Sequence, residues 1–221
     1  MANTYSIDLD GNNQSLSRAD NADLRYLTAD RTLECWIKPN DTSGVQTVVS
    51  KWATYQDYIL YMNGSTLTFA VLADTSNTVT TTVSSGTWTH VACTMDSSKN
   101  LEMFINGSSV DTATSTGTVA TSTDIFIIGQ NSSSNYYEGL IDEVRFWHEI
   151  RTGTEISNNY QKELTGSETN LVGYWKLNND LLDATSNSYD LTNNNSATFS
   201  TDVPFVGDDE ESNAIFFGMN F

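Results

Sequence analysis

The chain has 221 residues, 38% of them hydrophobic, which is enough for one sizeable core if each strand buries a single face. Only 17% are charged, yet 28 acids face 10 bases for a formal net charge of −18. That balance argues against nucleic acid, which needs clustered Lys and Arg to displace counterions, and against an anionic membrane surface. Its plainest use is solubility, and the sharper one is that some carboxylates hold Ca²⁺.

The opening stretch MANTYSIDLDG lacks the basic and apolar regions of a secretory signal. No later run approaches the roughly 18 apolar residues of a membrane span. The expectation is a soluble protein made in the cytoplasm, without membrane insertion and without export by the usual route. Tyr5, Ile7 and Leu9 alternate as a first strand ending at the turn pair Asp10-Gly11. Residues 12–30 read as a loop before a strand at Leu33–Ile37, which Pro39 stops. Val45–Lys51 is a further strand, and Trp52 to Asp57 interrupts the pattern. Tyr58–Met62 and Thr66–Leu72 flank Asn63-Gly64, a strong hairpin signal because both residues tolerate positive φ. Thr78–Val83, Trp88–Met95 and Leu101–Ile105 follow, and Asn106-Gly107 turns into Val110–Ala113. Residues 114–123 read as a loop, and Ile125–Ile128 as a central strand. Leu171–Leu177, Tyr189–Leu191 and Ala197–Phe199 close the set. Strands at this spacing, separated by turn signals, predict one all-β sandwich.

The stretch Gly139 to Trp147 anchors the chain. At period two, Leu140, Asp142, Val144 and Phe146 point one way, and Ile141, Glu143, Arg145 and Trp147 the other. Immediately after it, Thr152-Gly-Thr-Glu155 has the spacing of a capping box. Ile156, Tyr160 and Leu164 recur at helical intervals, and Gly166 sits where a helix would stop. One short helix is therefore expected.

These segments carry a family resemblance. The run GLIDEVRFWHEIRTGTEI resembles the signature of laminin-G-like, concanavalin A-like jelly-roll modules. Leu9-Asp10-Gly11, the LECWIKP strand at Leu33–Pro39, Ser50-Lys51, Trp88-Thr-His-Val-Ala92, Phe104-Ile-Asn-Gly107, Ile128-Gly129 and Leu171-Val-Gly-Tyr-Trp175 match in the same order. The resemblance covers about residues 5–206 and implies an antiparallel jelly-roll β-sandwich as domain 1–206, with 207–221 a tail beyond it. By position it also implies a structural Ca²⁺ near Asp10 and Asp142. The alternative is that Asp10 caps its turn and Asp142 accepts backbone amides.

Catalysis is not expected. A sandwich glycosidase projects its two carboxylates from alternate positions of one strand, and no E-x-D-x-x-E run occurs. His90 and His148 stand without a nearby Ser or Cys motif, and no zinc, phosphate or dinucleotide pattern is present. Cys35 and Cys93 lie in apolar strands and read as buried thiols, bonded only if those strands are neighbours.

Sugar binding asks for aromatic faces beside amides or acids. Two loops offer both: Trp52, Tyr55, Gln56 and Asp57, and Gln130, Asn131, Asn135 and Tyr136. The ligand-binding candidates are Trp52, Tyr55, Asp57, Asn131, Asn135 and Tyr136, each with the alternative role of covering the core at its rim. Beyond the acidic Gly207–Glu211, the apolar Ile215, Phe216, Phe217 and Phe221 read either as a last strand or as a strap docking on a partner. The reading is a non-catalytic recognition or adhesion module for glycans, placed extracellularly or on a virion surface. Its rival is a structural protein on a particle such as a phage virion, docked to a capsid subunit. A second copy of the chain is a further candidate partner.

Overall fold

The computed structural model describes residues 3–26, 29–54, 56–118 and 122–206. In chain order the strands are β1 (Ser6–Asp10), β2 (Ser15–Arg18), β3 (Arg31–Pro39), β4 (Val45–Lys51), β5 (Tyr58–Asn63), β6 (Thr66–Val71), β7 (Asp74–Thr82) and β8 (Thr89–Met95). They continue with β9 (Asn100–Ile105), β10 (Ser108–Thr114), β11 (Phe126–Ile128), β12 (Glu138–Trp147), β13 (Leu171–Trp175), β14 (Thr192–Asn194) and β15 (Thr198–Ser200). The helix α1 spans Gly153–Asn159, and a 3-10 turn lies at Ala22–Leu24. Two antiparallel sheets stack as the expected sandwich. The larger runs β10-β9-β8-β3-β12-β1-β15, with β13 pairing to the far end of β12; the other runs β14-β2-β11-β4-β5-β6-β7.

Between them Ile7, Leu9, Ile37, Val49, Leu60, Phe69, Val91, Phe126 and Trp175 form one buried core. Phe126 of β11 stacks on Trp175 at a centroid distance of 4.9 Å, tying the two sheets across the interior. Tyr26, Tyr58, Phe69 and Phe146 make a second aromatic group nearer the other end. Trp175 and Phe146 alone are large enough that losing either would leave a cavity costing about 3–5 kcal/mol.

The anchoring strand is β12, yet its alternation is not the simple one that the sequence suggests. A bulge between Asp142 and Arg145 sets Glu143 at φ +52° and resets the period. Ile141, Val144 and Phe146 therefore face the core, whereas Leu140 does not join it. Gly139 has φ +139°, and a Cβ there would lie 2.3 Å from the Lys38 carbonyl, so only glycine fits where β12 approaches β3.

The capping box forms as expected: Thr152 accepts from Glu155 N, and the Glu155 carboxylate accepts from Thr152 N. The helix stops at Asn159, well short of Gly166, because Ile156 is its only buried residue and the polar run after it adds no apolar face. Leu164 lies beyond the helix, packed against the Trp147, Leu171 and Tyr174 cluster. Residues 12–30, read as loop, contain β2. Its Ser-Leu-Ser-Arg run is too short and polar to register as a strand, though Leu16 is fully buried. The β14 strand lies just after the stretch expected at Tyr189–Leu191.

Cys35 and Cys93 are buried free thiols on adjacent strands, with Leu33 opposite Cys93 and Cys35 opposite Val91. Burial pushes both thiols well above the ordinary cysteine range. Among the described residues no helix is long and apolar enough to cross a membrane. The strap residues Ile215, Phe216, Phe217 and Phe221 lie outside the described residues, as does Tyr55.

Candidate functional site

Over β3 and β12 the outer face of the larger sheet is covered. Trp36 donates its indole N–H to Tyr160 O at 2.8 Å, and Arg145 donates to Asn159 O at 3.2 Å, so α1 and the chain after it lie flat on β3 and β12. Beneath this cover Glu34 accepts from the Trp147 indole at 2.6 Å and lies 3.3 Å from His90 Nε2. Burial holds His90 below the ordinary imidazole range despite that carboxylate. Glu143 accepts from Arg145 at 2.7 Å and from Tyr174 Oη at 2.6 Å. His148 meets Asp23 O at 2.7 Å. His90 is buried and His148 half-buried, and each is held by these contacts within the fold.

Asp10 and Asp142 are not brought together. Asp10 pairs across the ladder with Glu138, four residues along β12 from Asp142. At about 3.3 Å per residue that is roughly 13 Å, too far for one ion whose ligands lie about 2.3–2.6 Å away. Asp10 instead accepts from Asn12 N at 3.0 Å, and Asp142 accepts from Asn3 Nδ2 at 2.8 Å and from Glu143 N. Register therefore keeps these two side chains from converging on one point. Among the described residues no group of three or more His, Cys, Asp or Glu is placed to hold a metal.

The outer face of the smaller sheet is open, and there a groove of about 380 Å³ crosses β14, β2, β11 and the end of β4. Ladder register builds its floor. Ser17 stands opposite Thr192 on one side and Ile127 on the other, and Ile127 stands opposite Ser50. Because Leu16, Phe126 and Ile128 point into the core, their neighbours Ser15, Ser17 and Ile127 point out. Ile125, beside them, is 48% exposed, an uncommon position for a large apolar side chain.

Trp52 forms one wall, at the point where β4 ends. Three anchors hold its loop. Lys51, with a fully buried side chain, pairs with Asp20 at 2.5 Å and donates to Asp124 O. The Asp124 carboxylate accepts from Ala53 N at 2.9 Å and Thr54 N at 3.1 Å. Ser132 Oγ donates to Trp52 O at 3.3 Å. The opposite wall is Asn194 and Asn195. Asn194 Nδ2 donates to Ser15 Oγ at 3.3 Å and Ser17 Oγ at 3.0 Å, and Asn195 Nδ2 donates to Asn13 O at 2.7 Å. Gln130 Nε2 donates to Tyr136 Oη at 3.3 Å. Each of these three amides has its nitrogen committed, and among the described residues no donor reaches its oxygen.

The five tryptophans differ in one respect. Trp36, Trp88, Trp147 and Trp175 all donate their indole N–H to protein acceptors. Trp52 is half-buried, and among the described residues its indole N–H meets no acceptor. A donor on an aromatic plate beside free amide oxygens is the hydrogen-bonding equipment that a polyol engages.

The expected ligand residues are only partly gathered. Trp52 and Asn131 line this groove together with Gln130. Asn131 Oδ1 itself accepts from Ser133 N and Asn135 N, shaping the loop. Asn135 and Tyr136 line a separate polar cleft of about 250 Å³ with Asp41, Gln46 and Glu138. Asp57 belongs to neither. It is 2% exposed and its carboxylate accepts from Tyr26 N, so it fastens the interior instead of facing a ligand. Ser15, Ser17, Asn194, Ile125 and Ile127 were missed, because only strand order makes them neighbours. A larger cleft of about 410 Å³ over β8, β9 and β10 has no aromatic wall and is lined by Asp96 and Glu102.

A family model described as the concanavalin A-like lectin/glucanases superfamily matches residues 10–157. The chain belongs to that superfamily. Pentraxin-related protein PTX3 of Bos taurus is 30% identical over 156 residues, which are 63% of this chain and 41% of that protein. This superfamily member therefore spans less than half the length of that curated relative. A Bacteroides ovatus protein provisionally described as carbohydrate binding superposes with a TM-score of 0.70 at 19% identity, over 93% of this chain and 62% of that one. A native heptameric SAP-like pentraxin from Limulus polyphemus superposes with a TM-score of 0.61 at 16% identity, over 89% of this chain and 94% of that one. At such identities the superpositions establish the fold, which in this superfamily is a lectin-like sandwich.

Proposed function

We propose that this superfamily member is a non-catalytic recognition module that binds carbohydrate in the groove beside Trp52. The observation that carries the reading is Trp52, whose indole N–H meets no acceptor among the described residues, in one groove with the amide oxygens of Gln130, Asn194 and Asn195 and the apolar Ile125 and Ile127. Pyranose rings present alternating C–H faces and hydroxyl edges, and this surface complements both. Because the superfamily's description joins lectins with glucanases, the absence of carboxylates matters. Glycoside hydrolysis needs two, about 5–10 Å apart, and none lines this groove among the described residues. The provisional description of the Bacteroides ovatus protein as carbohydrate binding adds support at the level of fold.

With a glycan-recognition role we propose an extracellular location for the module. The relatives named above lend nothing to the virion alternative, and it is not carried further. The test is a glycan array probed with the wild-type protein and with Trp52→Ala, the fold of each verified by circular dichroism. Hits that vanish with Trp52→Ala are expected. Hits that survive it unchanged place the binding surface elsewhere.

A further inference from the structure

We infer that the groove takes an uncharged oligosaccharide of more than one sugar ring, and excludes uronate, sialate and sulfated chains. The inference rests on the groove being the carbohydrate site proposed above, and it concerns which sugars that site accepts. Every described residue lining the groove is a Ser, Asn, Gln, Ala, Ile or Trp; none is titratable. Charged side chains on the flanking strands and loops are not among its lining residues. Lys51 is buried against Asp20, the Asp124 carboxylate accepts the amides of Ala53 and Thr54, and the Arg18 guanidinium lies over the Tyr189 ring at 5.4 Å.

An anionic sugar is held most strongly by an Arg or Lys that replaces the water it gives up, and among the described residues lining the groove there is none. The field of the whole chain, with its formal net charge of −18, opposes such a ligand further. Neutral hydroxyls have partners throughout. The oxygens of Asn194, Asn195 and Gln130 accept, the Trp52 indole donates, and the serine hydroxyls do both.

Length follows from the strand order. Trp52 continues β4 and Asn194 lies on β14, with β11 and β2 between them. Three inter-strand spacings of about 4.8 Å set the backbones of the two walls roughly 14 Å apart. A groove that spans four strands offers contacts to more than one ring, so affinity should rise from monosaccharide to oligosaccharide.

The experiment titrates the full chain with neutral polymers (glucan, mannan, xylan, galactan) and with anionic ones (polygalacturonate, alginate). Each is run at about 0.02 M and about 0.5 M salt, limits that bracket weak and strong screening. The expected result is binding of at least one neutral polymer, unchanged within about twofold between the two salts and weakened about tenfold or more by Trp52→Ala. Trp52→Phe, which keeps an aromatic face, should recover part of the loss. Trp52-dependent binding of an anionic polymer overturns this inference while the site reading stands. Failure to bind any polymer, or binding indifferent to Trp52→Ala, removes the site reading and this inference with it.

Discussion

Replacing Lys51 by Met removes a buried ammonium from the base of the Trp52 loop while keeping most of its volume. The side chain is 0% exposed, pairs with Asp20 and donates to Asp124 O. Breaking a buried ion pair typically costs about 3–5 kcal/mol, because one charge is left stranded. Asp20 is not stranded here: its side chain is 20% exposed and it keeps Arg25, whose Nε donates at 3.2 Å. What remains is the loss of two charge-assisted hydrogen bonds, offset by better burial of the apolar methionine, for a net destabilisation of about 2 kcal/mol. With a urea slope of about 3 kcal/mol/M, the unfolding midpoint should fall by roughly 0.7 M at unchanged slope. The assay is urea denaturation followed by far-UV circular dichroism. A midpoint shift below about 0.2 M would refute the reasoning, since the ammonium would then contribute no more than a neutral chain of its length.

Asp142 is held well above the usual carboxylate range, by burial first and then by the neighbouring Glu143 charge. A raised folded-state value means that its contribution is fully present below the unfolded value of about 3.9 and is lost as pH rises through the folded value. Asp142→Asn should therefore gain on wild type as pH is raised from about 4 to 8, and a constant stability difference across that range sinks the assignment. The buried thiols of Cys35 and Cys93 should resist a thiol reagent in the native protein and both react after unfolding; rapid native labelling, or no free thiol in denaturant, contradicts the structure. Gly139→Ala should destabilise by at least about 1–3 kcal/mol from backbone strain, before the contact with Lys38 O is counted. A thermal midpoint equal to wild type would argue against the close approach of β12 and β3.

Much of the fold was legible because its signals are local. Asn106-Gly107 has φ +49° and +80°, the pair of positive angles that a tight hairpin turn requires. Thr152 and Glu155 cap the helix at the spacing read from sequence. The misjudged features depend on distant partners. The bulge at Glu143 reverses which side of β12 meets the core, and nothing in the order of apolar residues announces it. Ser15 to Arg18 becomes a strand only because β11 and β14 lie on either side of it. The site divides in the same way. Trp52 was identifiable as a large aromatic interrupting a strand pattern. Asp57, adjacent to the same break, was expected to share its role, but it turns inward to the Tyr26 amide. Asn194, far away in sequence, completes the wall that no local pattern could supply.

A ligand in the groove should engage the Trp52 indole, and an indole ¹H–¹⁵N spectrum reads that contact residue by residue. On titration with a neutral oligosaccharide drawn from the array hits, the Trp52 signal should move most. The signals of Trp36, Trp147 and Trp175, tied to Tyr160 O, Glu34 and Tyr189 O inside the protein, should stay in place. A Trp52 signal that does not move at saturating ligand, or a larger movement at Trp36 or Trp147, would contradict the account.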